Sequence, residues 1–151
     1  MSAVPAVPAE DAVYEALKYC VKTYSDGSRR YYNADGQLHR EDGPAVVCSS
    51  GTREWWQNGQ LHREDGPAAV WGNNMQEWYI HGMRHRDNGP AVVWADGTKM
   101  WYQNGKLHRE NGPAIVHANN DKHLPGVRRW FLLDVEYHYR DYCKAIKQLA
   151  S

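Results

Sequence analysis

The sequence predicts an all-β protein, an antiparallel meander of stacked 23-residue hairpin repeats, and three observations carry that expectation. The first is an internal repeat. Gln37 followed by LHREDGPAVV, Gln60 by LHREDGPAAV, Met83 by RHRDNGPAVV and Lys106 by LHRENGPAIV align at a constant offset of 23 residues. The second is turn chemistry: Asn58-Gly59 and Asn104-Gly105 separate short runs, and Asn-Gly suits the type I′ hairpin because both residues tolerate positive φ. The third is composition. Leu, Ile, Val and Phe are few, while 7 Trp and 10 Tyr supply large apolar faces with a polar handle, suited to thin sheets and binding surfaces.

At 151 residues and 17.4 kDa the chain fits one modest domain. Residues 1–12 read as a flexible N-terminal segment and 13–151 as a single repeat domain. In DAVYEALKYCVKTY, Val13, Leu17 and Cys20 suit a short helix, whereas Tyr19 to Tyr24 before Asp26-Gly27 reads as a strand. Four repeats follow at about 24–117. Each opens on an aromatic pair (Tyr31-Tyr32, Trp55-Trp56, Trp78-Tyr79, Trp101-Tyr102), turns, and continues into LHR or its equivalent. TKMWYQ should therefore pair with KLHR. An acidic residue, then Asp or Asn, then Gly-Pro form a second turn, and AVV or its equivalent is the next strand. Residues 118–137 form a degenerate cap repeat: Trp130-Phe131-Leu132-Leu133-Asp134 follows an insertion around His123–Gly126. Over 139–149, Tyr139, Tyr142, Ile146 and Leu149 fall at helical spacings, giving a short amphipathic helix to cover the sheet's end. Both AVV positions are apolar, so neither face is cleanly polar, and the sheet either coils on itself or meets a partner.

The pattern W-[WY]-x-N-G-x-L-H-R-x-[DN]-G-P-A-[VI] resembles the MORN-variant repeat of bacteriophage and giant-virus proteins, related to repeats of the YwqK-type antitoxin group. The resemblance covers Tyr24 to about Tyr142. In that class a final W-x-L-x-G-x-x-Y hairpin and a short helix are usual, similar to Trp130–Ile146, with Asp134 in place of the turn glycine. It implies an elongated sheet with a binding or scaffolding role, a phage or viral source and no shared active site.

Zero net charge, 18 basic against 18 acidic residues, argues against duplex nucleic acid as partner and lowers the case for an anionic membrane surface. No apolar run of about 20 residues spans a bilayer, and the N-terminus lacks a basic leader, so the chain reads as cytoplasmic, in the host cytoplasm if phage-encoded. Cys20, Cys48 and Cys143 show no paired spacing and lie outside the repeated positions, and no Ser sits in a nucleophile elbow. The expectation is a nonenzymatic protein with no cofactor. The repeat histidines His39, His62, His85 and His108 lie two or three strand spacings apart, roughly 9–15 Å, too far to share one metal, and the expected role is structural, each His-Arg pair packing over the neighbouring aromatic and the following acidic residue.

Two surfaces remain as candidates. Trp55, Trp78 and Trp101 form an aromatic column suited to a protein partner or to self-association. His62, Arg63, His85, Arg86 and Arg109 form a row that either pairs with its own acidic neighbours as a structural ladder or receives small anions such as nucleotides or anionic sugars. The leading expectation is a noncatalytic interaction protein; the alternative is a small-ligand binder.

Overall fold

The computed structural model describes residues 18–118 and 127–149. The expected N-terminal segment, the helix expected around Val13–Leu17 and the insertion around His123–Gly126 fall largely or wholly outside them. An 11-stranded antiparallel sheet runs in sequence order from Cys20–Thr23 at one edge to Val135–Tyr137 at the other. It is open, so of the two expected geometries the elongated meander is the one observed. Among the described residues no helix is long and apolar enough to cross a membrane.

Each unit gives this sheet two very short strands, an aliphatic one such as Val46–Val47 and a polar one such as Arg53–Glu54. A tight turn joins them: the Cys48 N–H donates to the Thr52 carbonyl at 2.9 Å, and Gly51 takes a φ of 90° that a side chain would resist. The register sets Val46, Ala69, Val92 and Ile115 on one face, and all four are buried. Val47, Val70, Val93 and Val116 occupy the other face, alternating with exposed Arg53, Lys99 and Arg128 and half-buried Gln76.

The strand expected through TKMWYQ is split at its tryptophan. Lys99–Met100 belongs to the long sheet, whereas Tyr102–Gln103 pairs with Lys106–Leu107 in a separate hairpin. Trp101 joins the two ladders: its N–H donates to Ala114 at 2.8 Å and its carbonyl accepts from His108 at 3.1 Å. Trp55 and Trp78 do the same with Ala68 and His62, and with Ala91 and His85. The hairpins turn through Asn58-Gly59, His81-Gly82 and Asn104-Gly105, each residue at positive φ as a type I′ turn requires. They also stack, because each turn glycine donates to the hairpin before it, as Gly82 to Leu61 and Gly105 to Arg84, both at 2.9 Å.

The interior is thin. Ala45, Ala68, Ala91 and Ala114 have no exposed surface, and the largest fully buried side chain is Val92. One buried cluster, Ala114, Ile115 and Phe131 with half-buried Met100, Trp101 and Leu107, joins the last full unit to the cap repeat. In the third unit the carboxylate of Glu77, 3% exposed, accepts from Trp71 Nε1 at 2.8 Å and from the Arg84 guanidinium at 2.7 and 3.0 Å, with the Tyr79 hydroxyl at 3.3 Å. Three of those bonds fall on Oε1 and one on Oε2, so both oxygens are engaged.

The cap hairpin closes without glycine. Leu133 and Asp134 hold φ of 51° and 71°, and the Asp134 carboxylate accepts the Leu107 N–H at 2.7 Å. Behind it the helix Tyr139–Leu149 packs on the last two strands. The Tyr142 hydroxyl reaches the last full unit, donating to the Arg109 carbonyl at 2.8 Å and accepting from the Gly112 N–H at 3.1 Å.

Candidate functional site: three repeat grooves

The H-R-x-[DN]-G-P-A segment builds a wall that recurs in every unit. Its histidine points inward. The Nδ1 atoms of His39, His62, His85 and His108 accept the turn N–H of the next hairpin, from Asn58, His81, Asn104 and Leu133, at 3.1–3.3 Å. An imidazole accepting at Nδ1 carries its proton on Nε2, and that edge faces the following acid: Asp87 lies 3.1 Å from His85 and Glu110 lies 3.4 Å from His108. These rings are therefore hinges between units.

The arginine of each segment lies over the ring of the aromatic residue that begins its own unit. The guanidinium carbons of Arg40, Arg63, Arg86 and Arg109 sit 4.0–4.1 Å from the ring centres of Tyr31, Trp55, Trp78 and Trp101. A second surface is the motif glycine: a Cβ on Gly66 would stand 3.0 Å from Arg63 Cζ, tighter than an ordinary van der Waals contact. The third restraint is a hydrogen bond to the carbonyl of the motif proline, at 3.4 Å for Arg63 and 3.1 Å for both Arg86 and Arg109.

The fourth restraint differs along the chain. In the first two units Nε donates to an aspartate, Arg40 to Asp42 at 2.8 Å and Arg63 to Asp65 at 2.7 Å. Those bonds hold both carboxyl groups below the usual range, and the bond to Asp42 raises Arg40. In the last two units asparagine occupies the position. There Arg109 Nε donates to the Asn111 amide oxygen, at 3.1 Å, in place of a carboxylate, and among the described residues the Arg86 side chain hydrogen-bonds only to the Pro90 carbonyl. Burial accordingly lowers the pKa of Arg109, with no carboxylate on it to offset the loss of solvent.

Between successive walls lie three open grooves of about 550, 700 and 530 Å³. Trp55 and Gln57 line the first, Trp78 and Ile80 the second, Trp101 and Gln103 the third, each between the arginines of two consecutive units. The structure thus brings the two candidate sets together, since Trp55, Trp78 and Trp101 share these grooves with His62, Arg63, His85, Arg86 and Arg109. The tryptophans are half-buried under their own arginines. Compared with known proteins, the chain matches no family model and no curated protein.

Residues the sequence reading passed over are the rim side chains Gln57, Ile80 and Gln103, two positions after each tryptophan. The Asp-to-Asn change at the fourth motif position was visible as [DN], but its meaning depends on which atom the side chain meets. The groove carries no nucleophile paired with a base, and each histidine Nδ1 is already engaged.

Proposed function

We propose that this protein is a noncatalytic interaction module that receives a protein partner, or its own copy, along the row of repeat grooves. The observation that carries the reading is the threefold presentation of one groove at 23-residue intervals, with the same types of lining residue each time. Repeat arrays with nearest-neighbour packing present extended surfaces of this kind. The resemblance to MORN-variant repeats, with its implied scaffolding role and viral or phage source, supports it. A row of sites on one chain also multiplies weak contacts, since the second contact occurs at a high effective concentration.

The test changes the rims and leaves the stacked tryptophans in place. Gln57→Glu, Ile80→Glu and Gln103→Glu are combined, and self-association is followed by sedimentation while partner capture is followed by crosslinking in moderate salt. Loss of both interactions, with an unchanged circular dichroism spectrum, is expected. Association that survives all three changes would refute the groove as the interface.

A further inference from the structure

The first two units show what the Nε edge of a motif arginine donates to: an aspartate oxygen at 2.7–2.8 Å. The last two units keep the arginine, its ring, its glycine and its proline carbonyl, and exchange that carboxylate for an amide. The walls of the first groove carry four carboxylates against two guanidinium groups, those of the second three against two, and those of the third two against two. The two acids left in the third groove, Asp87 and Glu110, sit beside His85 and His108 rather than beside the arginines. Lys99 and Arg128, exposed and facing Val116 in register, carry no acidic partner among the described residues.

We infer that the groove between Arg86 and Arg109 is a docking site for an acidic peptide segment, whose two carboxylates take the places that Asp42 and Asp65 fill in the first two units, one on Arg86 Nε and the other displacing the Asn111 amide oxygen from Arg109 Nε. The inference rests on the interaction-module reading and names the partner's chemistry. A carboxylate matches because guanidinium recognises it with directed, charge-assisted bonds. The spacing follows from the array. Equivalent positions in neighbouring units lie two strands apart, about 9.6 Å, and one turn of a polyproline II chain, three residues, rises about 9.3 Å and returns the side chain to the same face. The segment therefore carries Asp or Glu at positions i and i+3. A nucleic-acid strand fits less well, because the ring faces that would stack with bases already carry guanidinium groups.

The experiment titrates the whole protein with an acetylated, amidated peptide bearing two glutamates three positions apart, and with the same peptide bearing glutamines. Calorimetry and tryptophan emission report binding. The glutamate peptide should bind at least about tenfold tighter, the effect of one to two charge-assisted bonds, and should weaken as salt rises. Asn88→Asp with Asn111→Asp should remove that preference while the protein keeps its spectrum, because the first two units already fold with aspartate there. Asp42→Asn with Asp65→Asn should raise the number of peptides bound. Equal binding of the two peptides, or unchanged affinity in the Asn88→Asp, Asn111→Asp protein, would overturn the site. Free glutarate saturating the groove at the same concentration as the peptide would also overturn it, in favour of a small-carboxylate site. If the glutamate peptide fails but the rim variants still abolish association, this site falls and the interaction module stands; if the rim variants change nothing either, both fall.

Discussion

In the first two units the motif arginine is held on four sides, so its restraints are coupled. Gly66→Ala would place a methyl group 3.0 Å from Arg63 Cζ, a guanidinium already stacked on Trp55 and tied to Asp65 and Pro67. The expected cost is about 1–3 kcal/mol, as for other overpacked sites, by urea denaturation. In an Arg63→Ala background the same change should cost less than half as much, because the clash has gone. Equal costs in both backgrounds would show that the glycine answers to something other than the guanidinium. The histidine makes a separate claim. His62→Ala leaves the His81 N–H without its acceptor and opens a space where a buried ring was, for a loss of about 1–3 kcal/mol. His62→Asn offers a shorter acceptor and should recover part of that loss; a His62→Ala protein as stable as the parent would rule out the hinge.

Among the elements, the cap hairpin shows where sequence and structure part. Asn58-Gly59 and Asn104-Gly105 announce their turns because their residue types match the required φ, and those hairpins were legible from dipeptides alone. Leu133-Asp134 makes the same turn with a leucine that disfavours it and without glycine, held by the Leu133 N–H to His108 and the Asp134 carboxylate to Leu107. Such tertiary restraints leave no local sign. The split at Trp101 was hidden for a similar reason, since alternation reads straight through a residue that passes from one ladder to the next. The repeat, by contrast, gave the motif's arginines and tryptophans and their packing together, but not the 4.0–4.1 Å approach of guanidinium to ring, which requires knowing that the chain turns back eight residues later. Leu133→Asn tests the strain directly. A left-handed leucine costs about 1 kcal/mol or more relative to a residue suited to that conformation, and this side chain is 57% exposed, so little burial is lost. A gain of about 0.5–1 kcal/mol is expected in urea denaturation, and destabilisation would show that the leucine's packing outweighs its backbone.

At the scale of the whole molecule, stability resides in contacts between neighbours, because the interior is too thin to act as one core. Each unit presents the same attachments to the next: a histidine acceptor, a hairpin carbonyl and an arginine N–H that reaches the following hairpin, as Arg63 reaches Tyr79 at 3.1 Å. Excising residues 44–66 joins Gly43 to Pro67 and removes one period without altering any of these attachments. His39 would then receive the His81 N–H in place of that of Asn58, Leu38 would receive Gly82 in place of Gly59, and Arg40 would find the carbonyl of Pro67 in place of Pro44. The buried Glu77 carboxylate stays intact because Trp71, Tyr79 and Arg84 all lie on the retained side. The shortened protein should unfold in one cooperative transition, with its denaturant slope reduced by roughly one-sixth in proportion to the surface lost. A broad or absent transition would mean that the units are not interchangeable and that long-range contacts hold the array. A steep transition at the reduced slope would show that nearest-neighbour bonds suffice, leaving the Asp-to-Asn change along the groove free to vary without cost to the fold.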